Sequence, residues 1–600
     1  MTRRLAQIED ACSAVALTAM AVIPLLEIVL RRAFGIGIPA AGPIVQHLVL
    51  WVGFLGAAIA ARDGKLLALA SGTFIPDGRL RQAAGVVAAA VASCMAALLA
   101  YGGLELLLTE REAHSSFGAG IPTWAAQIAL PLGFALIALR LVWKAGPRWT
   151  GRLLAASGLV VAALLIREPG LLEAAPAWPW LATLVVAAAV GAPIFALLGG
   201  AAVVLFMIDG VTPAAVLIET YALTTSPTLP AIPMFTLAGF LLAEGQASAR
   251  LLRVFRAWFG WIPGGTAVVC ALLCSFFTVF TGGSGVTILA LGGLLFPALV
   301  KDGYRERFSL GLLTASGSLG LLLPPALPLI LYGIVAQLPM EDLFIAGMLP
   351  GILLTTMIAA WGVREGLVTR AGRQAFAIGE AGAAVWAAKW ELALPFIVLG
   401  ALFSGLATAV EASALTALYA LLVQTVVHRD IEIRRDLLRV FAECVGVVGG
   451  VLVILGVAVG LTSYLVSAQV PAQLLAWTQS HISSPLTFLL GLNLFLLVVG
   501  ALMDIFSAIV VVVPLIVPLG MAYGINPFHL GIVFIANLEL GYLTPPVGLN
   551  LFLASYRFKR PLMEVTRAAL PMLAILGIGV LVITYVPWLT LGILKMLGRV

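Results

Sequence analysis

The chain has 600 residues, 62% of them hydrophobic and only 10% charged, with a formal net charge of +6. Soluble domains carry about 25% charged residues, so this composition excludes a water-soluble globular enzyme and indicates an all-α polytopic membrane protein. The modest surplus of Lys and Arg is scattered over connecting loops and gives no basis for nucleic-acid binding.

The N-terminus, MTRRLAQIED, precedes a long apolar run without a convincing cleavage site, so residues 11–30 read as a retained first helix. Further apolar spans near 43–62, 83–109 and 121–142 complete a four-helix block over residues 1–150. Each approaches the roughly 20 residues that a helix needs to cross a bilayer. The alternating short segments of a β-barrel are not evident. Basic loops at Arg3 and Arg4, at Arg62, Lys65, Arg79 and Arg81, and at Lys144, Arg148 and Arg152 belong on the cytoplasmic side; Arg31 and Arg32 fall against that rule. Residues 151–176 hold a connecting helix near 153–166 and the start of the Pro-rich junction REPGLLEAAPAWP.

Residues 177–600 form a larger block built from two halves, about 177–390 and 391–600. A constant shift of 221 residues pairs Pro297 with Pro518, Gly303 with Gly524, Gly320 with Gly541, Pro324 with Pro545 and Pro325 with Pro546. The shift aligns two interrupted segments, SGSLGLLLPP (316–325) and NLELGYLTPP (537–546). Gly and Pro break the helical ladder, and lipid supplies no replacement partners, so such breaks belong where the backbone lines a cavity. Upstream of each lies an apolar stretch with a polar centre, TGGSGVT (281–287) and GALMDIFSA (500–508), which reads as a re-entrant hairpin or as a full helix with a small-residue face. The basic loop KDGYRER (301–307) aligns with AYGINPFH (522–529), which has no Lys or Arg. The acidic AQLPMED (336–342) precedes no such acidic counterpart, the second half carrying the basic YRFKR (556–560) instead. That reversal predicts an inverted repeat. Segments 374–390 and 432–442 have the mixed polarity of helices lying along the membrane surface, or of amphipathic loops.

Carbonyls and hydroxyls freed at a break are hard ligands for a small cation, while helix N-termini favour an anion. The first half offers Ser284 with backbone oxygens around Gly320 and Pro324, and Ser316 and Ser318 as alternatives that would meet substrate. The second offers Asp504, Ser507, Gly541 and Thr544, with Asn537 as a substrate contact. Any Ser or Thr here also reads as a packing hydroxyl. Asp504 and Glu539 are carboxylates at membrane depth, where such groups are costly and functional, unless they sit at a solvated loop edge. The five cysteines lie within or beside apolar runs; Cys270 and Cys274 are one turn apart without a third ligand nearby. Dispersed histidines and the lack of a P-loop leave no basis for an intramembrane enzyme or an ATPase.

The motifs AIPMFTLAGFLLAEG (231–245), GGSGVT (282–287), KDGY (301–304), SGSLGLLLPP (316–325), FIAGMLPG (344–351) and LGYLTPPVGLNLF (540–552) resemble those of the large membrane subunit of tripartite ATP-independent periplasmic (TRAP) transporters. The stretch ATAVEASALTALYALL (407–422) departs from that family's Thr-Pro-Thr-Glu pattern but keeps Glu411. WVGFLGAAIAARDGK (51–65) is similar to the small four-helix subunit, with Lys65-Leu66 where the family often has His and an apolar residue. The resemblance implies a natural fusion of both subunits in the bacterial inner membrane. It implies elevator-type uptake of an organic acid driven by sodium ions, no other cofactor, and a periplasmic solute-binding protein as partner. Membrane lipid is the remaining partner. A self-sufficient sodium/dicarboxylate symporter is the alternative, and would leave the four-helix block unexplained.

Overall fold

A computed structural model describes residues 3–69, 72, 75, 78–146, 149–173, 175–405, 407–545 and 548–600. Pro546 and Arg148, and the side chains of Arg3 and Arg4, lie outside this description. Among the described residues every regular element is a helix, accompanied by two isolated bridges, Ala68–Pro193 and Ser116–Pro122. Among the described residues twelve helices are long and apolar enough to cross a membrane, or thirteen if one bent pair counts as a span. The chain divides into two compact units, residues 1–234 with 434–473, and residues 235–433 with 474–600.

In the first unit the helices Arg3–Phe34, Ala41–Asp63, Arg79–Ala113, Ala129–Lys144 and Trp149–Arg167 pack with Ile194–Ile208, Ala214–Thr224 and the long Leu437–Ser467. Ala41–Asp63 meets Leu437–Ser467 through glycines: a Cβ added to Gly449 would stand 2.5 Å from the Gly56 Cα. Lipid tails are as apolar as Leu, so helices in a membrane gain by close approach at small residues rather than by expelling water. Polar ties supplement this packing. His47 Nε2 lies 2.8 Å from the Tyr221 hydroxyl, and Arg62 pairs with Asp10 at 2.8 Å and Glu9 at 3.3 Å.

The second unit carries the duplication in its element bounds. Shifted by 221, Ser284–Lys301 falls on the bounds of Ile505–Ala522, and Glu306–Ser316 begins where Pro527–Gly541 begins. Gly303 and Gly524 both take left-handed φ, 92° and 72°, which a Cβ disfavours, and so terminate matched helices the same way.

Both polar centres are turns between antiparallel helices. Gly265–Thr281 ends at Gly282 with φ 64°, and Ser284–Lys301 starts two residues later. Thr278 and Thr287 Oγ1 lie 2.8 Å apart, whereas nine residues of unbroken helix span about 13 Å. In the second half Pro485–Leu502 and Ile505–Ala522 fold back so that the Phe488 and Tyr523 rings stack at 4.5 Å.

The span expected at 121–142 is present as Thr123–Lys144, with the single residue Ile128, itself in helical φ/ψ, between Thr123–Gln127 and Ala129–Lys144. Other expected boundaries change. The surface helix expected over 374–390 begins only at Ile378, and after Ala387 the chain turns by 64° into Lys389–Phe403. The segment 432–442 is no separate surface helix, because from Leu437 it is the first turn and a half of Leu437–Ser467. Before Ile378 the Gln374 amide donates to the Gly260 carbonyl at 3.0 Å rather than to a helical turn.

Candidate functional site

The first break runs from Gly317 to Ala326, between Glu306–Ser316 and Leu327–Ala336. It starts three residues before Gly320 and leaves the last carbonyls of Glu306–Ser316 without α-helical donors. Thr278 Oγ1 donates to the Gly317 carbonyl at 2.8 Å, which fastens the break to the first hairpin. Gly320 lies against the backbone at Ser275 and Val279, where an added Cβ would collide. Ser284 and Ser316 are buried, and the Oγ of each lacks a hydrogen-bond partner. Ser318 Oγ donates to the Ala315 carbonyl at 3.3 Å and accepts from Asn550 Nδ2 at 3.4 Å. Pro324 borders a cavity of about 410 Å³ whose walls, including Leu272, Phe276, Phe280 and Met348, are too apolar for a hydrated anion.

The second break separates Pro527–Gly541 from Leu549–Phe558. Gly541 touches the second hairpin: a Cβ there would lie 2.5 Å from the Gly500 Cα. Gly548 N donates to the Ala501 carbonyl at 3.2 Å, and Asn550 N donates across the break to the Tyr542 carbonyl at 3.2 Å. Asp504 caps Ile505–Ala522, accepting from the Phe506 and Ser507 amides at 3.0 and 3.1 Å and from Ser507 Oγ at 2.5 Å. The neighbouring Ile505 amide donates to the Tyr542 hydroxyl at 2.8 Å. Thr544 Oγ1 donates to the Leu540 carbonyl at 3.0 Å.

Glu539 is 1% exposed, which removes the loop-edge reading for that residue, and its carboxylate faces the Leu322 backbone amide. Asn537 belongs to a different network. Its Nδ2 donates to Asn493 Oδ1 at 2.5 Å and to the Val533 carbonyl at 2.8 Å, and Thr584 Oγ1 donates to the same Asn493 oxygen at 3.2 Å.

The structure therefore gathers Ser284, Ser316, Ser318 and Gly320 around the first hairpin and break, and Asp504, Ser507, Gly541 and Thr544 around the second. Asn537 stands apart in helix packing. Asn550, Thr278, Thr287 and Tyr542 escaped the sequence reasoning. Asn550 crosses between halves, giving Nδ2 to the Thr314 carbonyl at 3.1 Å while its buried Oδ1 stays unpartnered. A lone Asn in the apolar run GLNLF was the available signal, since a polar side chain at membrane depth needs partners.

Chemically, three buried neutral oxygens without donors (Ser284 Oγ, Ser316 Oγ and Asn550 Oδ1) sit on elements that meet at one break. Oxygen-only, uncharged donor sets suit a hard monovalent cation, and the helix C-terminus at Ser316 adds partial negative charge.

Residues 181–589 match the family described as "Tripartite ATP-independent periplasmic transporter, DctM component", and residues 20–151 match its DctQ component. The isethionate TRAP transporter permease protein DctMQ of Oleidesulfovibrio alaskensis is 32% identical over 78% of this chain and 74% of its own length. The C4-dicarboxylate TRAP transporter large permease protein DctM of Pseudomonas aeruginosa is 33% identical over 67% of this chain and 93% of its own. The sialic acid TRAP transporter large permease protein SiaM of Vibrio cholerae is 32% identical over 61% and 85%.

Proposed function

The chain belongs to the TRAP transporter family, its small and large membrane components fused in one multi-pass inner-membrane polypeptide, and on that premise we propose that it takes up an organic acid anion by sodium-coupled alternating access. The observation that carries the reading is the pairing of each helix break with a hairpin turn, with donor-free oxygens buried at the first. The substrate class rests on relatives named for isethionate, C4-dicarboxylates and sialic acid. Sodium ions would use Ser284 and the carbonyls around Gly320 and Pro324 in one half, and Asp504, Ser507, Gly541 and Thr544 in the other. Ser316 and Ser318 would meet the anion at the cation-loaded break, and the unpartnered Asn550 Oδ1 would face the cation. Asn537 is the weaker substrate contact, because its amide is already engaged.

Cations bind first in this scheme. An anion entering a site lined by helix C-terminal carbonyls is repelled until positive charge is present. One charge crossing 100 mV supplies about 2.3 kcal/mol, enough to drive accumulation when several ions move together. The hairpins and broken helices would move as a carrier unit in the elevator manner, with a periplasmic solute-binding protein delivering the anion.

Uptake into proteoliposomes tests this. Transport of a C4-dicarboxylate or another small organic acid is expected to need both an inward sodium gradient and a soluble binding protein loaded with that acid. Equal uptake without a sodium gradient would overturn the coupling, and equal uptake without the soluble protein would overturn the tripartite arrangement.

A further inference from the structure

Two amphipathic segments of the second unit lie side by side. Arg253 Nε on Ala247–Phe259 donates to Glu380 Oε1 on Ile378–Ala387 at 2.8 Å, and the Gln374 amide donates to the Gly260 carbonyl at 3.0 Å. The Trp258 and Trp261 rings meet Phe376 at 6.3 and 6.5 Å. Trp258, Trp261, Phe376, Ile378 and Trp386 are nevertheless exposed, Ile378 and Trp386 by more than two-thirds (72% and 71%). A water-facing surface seldom gathers so many large apolar groups. The 64° turn after Ala387 separates this shelf from the apolar helix Lys389–Phe403.

Charge adds a second observation. Residues 247–261 and 361–391 contain seven Arg or Lys against three Glu. Arg364, Arg370, Arg373 and Lys389 have no acidic partner among the described residues; Arg364 lies over the Trp361 ring at 4.5 Å and Lys389 over Trp386 at 3.4 Å. Between the two segments is a cavity of about 260 Å³ lined by Arg253, Arg256, Gln374 and Glu380; the guanidinium of Arg256 lies 3.9 Å from Asp302, and its Nε is buried without an acceptor.

We propose that these paired segments form a binding shelf for anionic phospholipid headgroups. The phosphate would be held by Arg256 in the cavity and by Arg370, Arg373 and Lys389 along its rim. The Trp and Phe rings would lie at the boundary between headgroups and acyl chains, where amphipathic rings are favoured. A free phosphate would leave those rings in water, and an acidic protein would have to cover them, whereas an anionic bilayer surface satisfies rings and cations together. Attraction of about 1 kcal/mol per cation corresponds to about fivefold in local lipid preference.

The test uses the full chain in nanodiscs containing brominated phosphatidylglycerol or, at the same mole fraction, brominated phosphatidylcholine, with Trp emission as the readout. Stronger quenching by the anionic lipid is expected. Arg370→Gln/Arg373→Gln/Lys389→Gln should remove the difference, and Arg79→Gln/Arg167→Gln/Lys595→Gln should retain it. Should the first variant not fold, Trp258→Phe/Trp386→Phe in the otherwise native chain should lower the difference instead. Equal quenching by both lipids in the native chain overturns the proposal, as does a difference that survives both shelf variants.

Discussion

A buried hydroxyl without a partner costs stability, and one that is hydrogen-bonded supplies it, so Ser284 and Thr278 make opposite predictions. Thr278 Oγ1 touches the Cys274 carbonyl, the Gly317 carbonyl and Thr287 Oγ1, each at 2.8 Å. Thr278→Val is expected to destabilise the protein by about 1–3 kcal/mol, read as a lower thermal midpoint in detergent. Ser284→Ala removes an oxygen that has no donor, and should leave that midpoint unchanged or raised while shifting the sodium titration of uptake to higher concentration. Thr544→Ala should shift the same titration; overlapping curves would remove either residue from the cation site. At this scale the sequence made Ser284, Ser316 and Glu539 visible, since polar groups are conspicuous in apolar runs. It did not show that Asn537 is engaged by Asn493, 44 residues away, or that Asn550 reaches the first break, because both facts depend on which helices become neighbours.

Helices and their breaks were the most legible level. Proline lacks an N–H and glycine tolerates positive φ, so both act on their own backbone and can be located without knowing the fold. The first break falls where SGSLGLLLPP (316–325) puts it, starting at Gly317, and there the Gly317 carbonyl and Ser318 meet Thr278 and Asn550. Helix contacts yield two further predictions. Gly449→Leu would push the Leu437–Ser467 helix off Gly56 and Ala57, and overpacking of this kind costs about 1–3 kcal/mol; the variant should show a lower thermal midpoint, and a wild-type melting curve would contradict the close-packed contact. The second concerns Asp430 in the connection between Ala409–Leu422 and Leu437–Ser467. Burial alone would raise its carboxyl, but hydrogen bonds from Arg250 and the Gln246 amide outweigh it and hold the group below its ordinary 3.8. A depressed carboxyl contributes stability at pH above its unfolded value and loses that contribution as pH falls through the lower folded value. The native chain should therefore lose stability below about pH 4 faster than Asp430→Asn, as checked by thermal midpoints from pH 6 to pH 3.

For the whole molecule, the first compact unit combines residues 1–234 with 434–473, so a helix from the second half of the large component completes it. Cutting the chain within the junction at 168–176 and co-expressing the two pieces should give a complex that co-purifies, held by the Gly56–Gly449 contact rather than by the peptide link. Independent elution of the pieces would show that the fusion itself holds them together. Composition, spacing and the 221-residue shift determined by themselves that this is a helical membrane protein with duplicated, broken segments, because apolar length and backbone punctuation are local properties. Only the tertiary structure decided which lone pairs remain without donors and which helix completes the first unit. Those outcomes depend on the approach of residues hundreds of positions apart, and no local pattern encodes a partner that distant.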